Sequence, residues 1–201
     1  MKTTYQDLIE RLKEGLKQDH PYRGRYEVAE QELSPAAVLL LFGLNRENHA
    51  HLLFVRRADH IEIHRGQMAF PGGRLEPSDE GDSVSTALRE TEEEVGLLKH
   101  QIEVVGVLPH LKTVTGFQIQ PVVGVLKHQL GEVSLNLDLD ELAEAFWISL
   151  TDLNQPSVYS EETLSKNDVE YRICVYSLSQ CRIWGATGAM TKNILDRYFQ
   201  R

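Results

Sequence analysis

The amino-acid sequence predicts an α/β fold, with helices packed on both sides of a mixed β-sheet. Three observations carry that expectation. Apolar runs of strand length recur along the chain, and segments with a 3.6-residue apolar period lie before, between and after them. At 201 residues, with 41% hydrophobic and 25% charged side chains, the chain can also bury a sizeable core without disulfide staples.

Taken in order, Tyr5, Leu8, Ile9, Leu12 and Leu16 repeat at helical spacing and predict an amphipathic helix over residues 4–18, broken by the turn-forming His20-Pro21-Tyr22-Arg23-Gly24. Residues 36–44 are almost continuously apolar, and after the polar turn 45–49 a second run, 51–57, is expected to pair with them as a hairpin. Beyond Gly72-Gly73 and a polar loop, Val84, Ala87, Leu88, Thr91, Val95 and Leu98 mark one face of a helix over 83–97, with Asp82 or Ser83 as its cap and Gly96 at its close. Residues 102–108, 118–126 and 145–148 read as strands, as does the alternation Val169, Tyr171, Ile173, Val175. Met190, Ile194 and Tyr198 share one face of a last helix over 187–198. The expected organisation is an N-terminal helix and linker, residues 1–33, packed on a domain spanning 34–201.

The net charge is -9, from 30 acidic and 21 basic side chains, which argues against a nucleic-acid-coating surface. The acid is concentrated. Eight carboxylates face two arginines between Arg74 and Glu94, and Glu132, Asp138, Asp140, Glu141 and Glu144 lie in a second stretch that has no Lys or Arg. Cys174 and Cys181 are spaced neither as a redox pair nor as half of a zinc site, and no apolar run approaches membrane-spanning length. The expectation is a cytoplasmic protein with reduced thiols and a small-molecule substrate, a monomer or homodimer binding neither nucleic acid nor membrane.

On the helix at 83–97, Glu90, Glu93 and Glu94 fall at i, i+3 and i+4, so their carboxylates rise from one patch opposite the apolar face. Such a patch repels itself, and a hard divalent cation such as Mg²⁺ compensates while leaving positions open for phosphate oxygens. Arg89, four residues before Glu93, is placed to hold that carboxylate. A solvated acidic face has the same charge pattern, and it is context that separates the two readings.

That context is the segment from Gly73 to Arg89-Glu90-Thr91-Glu92-Glu93-Glu94-Val95-Gly96-Leu97, which resembles the Nudix box, G-x5-E-x7-R-E-U-x-E-E-x-G-U with U apolar. Its second half matches at every charged position; Thr91 replaces an apolar residue, and the first half is two residues longer, so that either Asp79 or Asp82 stands in for the first Glu. The longer loop is similar to that of the branch that hydrolyses coenzyme A. That branch's signature, L-L-T-x-R-S-x3-R-x3-G-x3-F-P-G-G, aligns with residues 53–73 through Leu53, Arg57, Gly66, Phe70, Pro71, Gly72 and Gly73, with His64 and Gln67 also similar and Glu62 a charge-reversed departure. The resemblance resumes at Leu108-Pro109, from Thr115 to Gly124, at Glu144-Ala145-Phe146-Trp147 and at Ile183-Trp184-Gly185-Ala186-Thr187.

The resemblance implies a Nudix fold, an α/β/α sandwich with a mixed sheet, and Mg²⁺ or Mn²⁺ as cofactor. It implies catalytic roles for Glu90, Glu93, Glu94 and Arg89, with Glu90, Glu93, Glu94 and the carbonyl of Gly72 or Gly73 on the metal. Arg57, His64, Gly66, Phe70 and Gly73 are expected on the substrate side, and Arg56 and Arg65 are further candidates for a phosphate. Proton transfer is left open among Glu90, Glu94, Glu141 and Glu144. The implied reaction is hydrolysis of the diphosphate linkage of coenzyme A or its thioesters. Other nucleoside diphosphate derivatives, or a non-catalytic ligand-binding module of the same fold, are the competing readings.

Overall fold

In the computed structural model, which describes residues 2–22, 33–60, 66–166 and 169–200, the apolar run near 36–44 becomes strand β1 (Ser34–Leu44), and its place explains its composition. Successive side chains of a strand point to opposite faces. Ala37, Leu39 and Leu41 enter one apolar core, while Leu40, Phe42 and Leu44 enter another. A strand covered on both faces needs no polar alternation.

One edge of β1 pairs in parallel with β7 (Phe117–Gln129), and β7 carries β5 (Ile102–Val107) and β6 (Leu111–Lys112) antiparallel on its far edge. The other edge of β1 is divided. Residues 42–44 pair with the start of β2 (Ala50–Arg57), the expected hairpin, whereas residues 36–38 pair with β4 (Gly72–Arg74). Further along, β2 takes β3 (Met68–Ala69) on that same side and β8 (Leu142–Ser149) on its outer edge. The sheet is therefore mixed, and β2 and β4 diverge around the middle of β1.

Helices α1 (Tyr5–Leu16) and α4 (Gly185–Phe199) cover the Leu40/Phe42 face, and α2 (Ser83–Val95) covers the Leu39/Leu41 face. This is the expected three-layer sandwich. Thr4 and Asp7 cap α1 reciprocally. The buried Arg197 of α4 ties α1 down, donating to the carbonyls of Gly15, Gln18 and His20 and to Asn193 Oδ1. Asp82 caps α2 by accepting from the amides of Val84 and Ser85 at 3.0 and 3.2 Å. At φ 74° Gly96 adopts the left-handed conformation and ends that helix two residues before the expected bound. Thr91, fully buried where an apolar residue was expected, satisfies its hydroxyl on the Ala87 carbonyl at 2.7 Å.

A second, three-stranded antiparallel sheet is formed by β9 (Tyr159–Lys166), β10 (Val169–Ser177) and β11 (Arg182–Ile183). The short helix α3 (Leu150–Leu153) precedes it. β9 escaped the sequence reading because Ser160, Glu161, Glu162 and Thr163 form a polar, solvent-facing edge without apolar alternation. Among the described residues no helix is long and apolar enough to cross a membrane; Cys174 is buried and Cys181 half-buried.

Candidate active site

The carboxylate patch of α2 lies over β4, and the two glycines of that strand are what allow it. Gly72 has φ 151°, and a Cβ there would lie 2.3 Å from the Ala37 carbonyl oxygen, so only glycine lets β4 seat on β1. A Cβ on Gly73 would lie 2.3 Å from Glu90 Oε1; glycine lets that carboxylate rest on the backbone. The Gly72 amide in turn donates to Glu94 Oε2 at 3.0 Å.

Arg89 organises the rest. Its Nε and Nη2 donate to the two oxygens of Asp79 at 3.0 and 3.1 Å, a two-pronged charge-assisted pair. Nη1 reaches Glu93 Oε2 at 2.9 Å, and Nη2 also lies 3.0 Å from Glu90 Oε1. Asp79, almost fully buried at the end of a 3-10 turn (Pro77–Asp79), accepts two more hydrogen bonds, from Thr86 Oγ1 and the Glu76 amide, each at 2.9 Å. Of the two acids that the lengthened loop left open, Asp79 meets the arginine and Asp82 caps the helix. The Arg89 guanidinium holds the Asp79 carboxyl well below the usual carboxylate range, helped by these hydrogen bonds and opposed by burial.

Glu94 is the most buried of the three α2 carboxylates in the cluster, its side chain 4% exposed. Burial pushes its carboxyl up to about 8; Glu90 and Glu141 add to the rise, and the Gly72 amide and Arg57 oppose it. Glu90 is also raised, chiefly by burial, with Arg89 opposing. Glu93 is more than half exposed and reaches the cluster through Arg89.

The second acidic stretch arrives by backbone contacts. The amides of Asn136 and Asp138 donate to the carbonyls of Val95 and Glu94, and Ala58 donates to the Glu141 carbonyl. Glu141 Oε2 thereby comes to 3.6 Å from Arg57 Nη2, while Arg57 Nη1 lies 3.8 Å from Glu94 Oε1.

Two expected site residues lie away from this cluster. Glu144 pairs with Arg56 at 2.9 Å, opposite it in the β2–β8 ladder. Strand alternation puts that pair on the Phe54 face, away from Arg57 and Glu94, and removes Glu144 from the proton-transfer candidates. Phe70 is 2% exposed and stacks on Phe54 at 4.8 Å, a core residue with no surface for substrate. Gly66, at φ 63°, donates to the Arg57 carbonyl and so holds the backbone beneath that arginine. His64, with Glu62 and Arg65, lies outside the described residues. Thr86, which buttresses Asp79, left no mark in the sequence beyond its place on the buried helix face.

Among the described residues no three His, Cys, Asp or Glu side chains close into a ready-formed metal cage. The donors are nevertheless of the kind that suits Mg²⁺ or Mn²⁺. Glu90 and Glu94 offer hard oxygens from neighbouring turns of one helix, and the cost of burying both carboxylates, which raises them, is what a divalent cation would offset. Mg²⁺ in particular is commonly held by one or two carboxylates, with water and phosphate oxygens completing its octahedron.

Comparison with known proteins agrees with this architecture. The NUDIX domain model matches residues 33–166. An uncharacterized Nudix hydrolase NudL from Salmonella heidelberg is 32% identical over 171 residues, 85% of this chain and 85% of its own. The protein of the same name from Enterobacter sp. is 30% identical over 170 residues, 85% of this chain and 86% of its own. In fold, the MutT protein from Methanosarcina mazei aligns with a TM-score of 0.52 at 17% identity, over 86% of this chain and 97% of its own. A MutT/nudix family protein from Enterococcus faecalis aligns at 0.51 and 21%, over 92% and 65%. The family match spans β1 to β9 and contains the whole Arg89–Glu90–Glu93–Glu94 cluster; the chain belongs to the Nudix family of hydrolases.

Proposed function

We propose that this Nudix hydrolase cleaves the diphosphate linkage of coenzyme A or its thioesters, with Mg²⁺ or Mn²⁺, releasing 3',5'-ADP and 4'-phosphopantetheine or its acyl form. The observation that supports the finer substrate reading is the meeting of two separate motifs. Arg57, from the segment resembling the coenzyme A signature, lies 3.8 Å from Glu94 of the Nudix-like helix, so both motifs face one site.

The residues divide the work. Asp79 fixes Arg89, and Arg89 fixes Glu90 and Glu93. Glu90 and Glu94 would hold the cation, with Glu93 directly or through water, and the glycine floor admits a phosphate close to the backbone. When bound, the cation polarises a phosphoryl oxygen, lowers the pKa of an attacking water and stabilises the leaving phosphate. Glu94 and Glu141, both beside Arg57, are the candidates to take the proton of that water. Arg57 supplies positive charge toward the diphosphate. The acidic, thiol-bearing chain suits a cytoplasmic enzyme acting on a small molecule.

The test is incubation with coenzyme A and Mg²⁺, following 3',5'-ADP by chromatography, alongside Glu94→Gln. The variant is expected to keep its fold and lose turnover by orders of magnitude. Much faster cleavage of ADP-ribose, dinucleotides or nucleoside triphosphates would overturn the coenzyme A reading and leave the hydrolase standing. Binding without turnover of any of them would favour the ligand-binding module.

A further inference from the structure

Two arginines serve the carboxylate cluster, and they are held very differently. Arg89 is locked: its two contacts to Asp79 are at 3.0 and 3.1 Å, and Glu90 and Glu93 engage the same guanidinium. Arg57 is not. Its guanidinium spans Glu94 and Glu141 at 3.8 and 3.6 Å, beyond ordinary hydrogen-bond length, and its side chain is 27% exposed. The backbone beneath it is fixed, since its amide donates to Gln67 and its carbonyl accepts from Gly66. Among the described residues, only these two long contacts hold the side chain. Its partner Glu94 is nearly buried, and among the described residues Arg57 is the one cation paired with it.

We infer that Arg57 is a placeholder cation, balancing Glu94 and Glu141 before a divalent cation binds and giving way when that cation takes Glu94. The released guanidinium then turns to the anionic group of the substrate. Metal and substrate binding are thereby coupled, and by linkage each strengthens the other. The inference rests on the metal-dependent reading above. It adds that one side chain is exchanged between the protein's own carboxylates and the substrate, a role the fixed Arg89 does not play.

The experiment measures Mn²⁺ binding to the substrate-free protein by electron paramagnetic resonance, then KM and kcat at saturating Mn²⁺. Removing a competing cation a few ångströms from the binding carboxylate is expected to tighten Mn²⁺ binding about tenfold in Arg57→Gln. The same variant is expected to raise KM about tenfold or more, with a smaller fall in kcat. Opposite movement of the two affinities is the signature; a merely structural role weakens both. Arg57→Lys keeps the charge and should bind Mn²⁺ nearly as the wild type does. Arg56→Gln is the control, because Arg56 bears the same charge but pairs with Glu144 and Asp59 on the other face. Unchanged or weaker Mn²⁺ binding in Arg57→Gln overturns the inference, as does equal tightening in Arg56→Gln, which would reduce it to a general field effect. If the wild type binds no Mn²⁺ at all, the metal-dependent reading falls and takes this inference with it.

Discussion

Replacing Asp79 by Asn tests the framework beneath the active site, because it changes one atom and leaves the shape. Asp79 Oδ2 accepts from Thr86, the Glu76 amide and Arg89 Nη2, whereas Oδ1 accepts from Arg89 Nε alone. An asparagine would keep its oxygen at the crowded position and turn its amide group toward Arg89 Nε, donor against donor. The loss is one charge-assisted hydrogen bond, with partial desolvation of an arginine that stays 22% exposed and keeps Glu90 and Glu93. That sums to about 1.5–3 kcal/mol of stability at pH 7. A loosened Arg89 also misplaces Glu90 and Glu93, and supporting residues of this kind are worth about 10–100-fold in activity. The carboxyl of Asp79 titrates lower in the folded protein than in the unfolded chain, so its contribution is complete above the ordinary carboxylate range and fades as pH falls through the depressed value. Urea unfolding at pH 7, 5 and 3 should therefore show a difference between wild type and variant that is constant at first and shrinks below about pH 4. Asp82→Asn, which preserves a good capping residue, is expected to stay within about 0.5 kcal/mol of wild type with unchanged turnover. A difference for Asp79→Asn below about 0.5 kcal/mol, or one independent of pH, would refute the reasoning.

Gly73→Ala should drive Glu90 off its backbone seat, lowering kcat/KM by about tenfold or more while the urea midpoint shifts little, since the clash is with a side-chain end. Phe70→Ala should cost about 3–5 kcal/mol in urea unfolding yet leave KM of the folded fraction unchanged, as befits a core ring. Glu144→Gln should alter kcat/KM by no more than about twofold, because its exposed pair with Arg56 is worth ~0–1 kcal/mol and lies on the other face; Glu141→Gln should lower it clearly. Saturating Mg²⁺ should stabilise the wild type by about 2.7 kcal/mol at a hundred times its Kd in thermal melts, and Glu94→Gln should lose that shift.

Much of the fold was legible along the chain. The period-3.6 stripes located α1, α2 and α4 to within a few residues, and the apolar runs located β1, β2, β5 and β7. What escaped had no local pattern. β3, β4 and β6 are two or three residues long, and polar β9 is held by pairing with β10 more than by burial. Phe70 shows the opposite failure: a residue placed by resemblance on the substrate side was drawn into the core by Phe54, a neighbour the linear sequence does not reveal.

Residue type and spacing along a single helix were enough to place Arg89, Glu90, Glu93 and Glu94 together and to suggest a cation for them, because 3.6 residues per turn is a local rule. Which partner each would have was not local. Asp79 rather than Asp82 reaching Arg89 depends on how the loop before α2 folds back on the helix; the Gly72 amide reaching Glu94, and Glu144 facing away while Glu141 joins Arg57, depend on how strands distant in sequence register against one another. A shift of one residue in a strand sends a side chain to the other face of the sheet, so those assignments could only come from the folded chain.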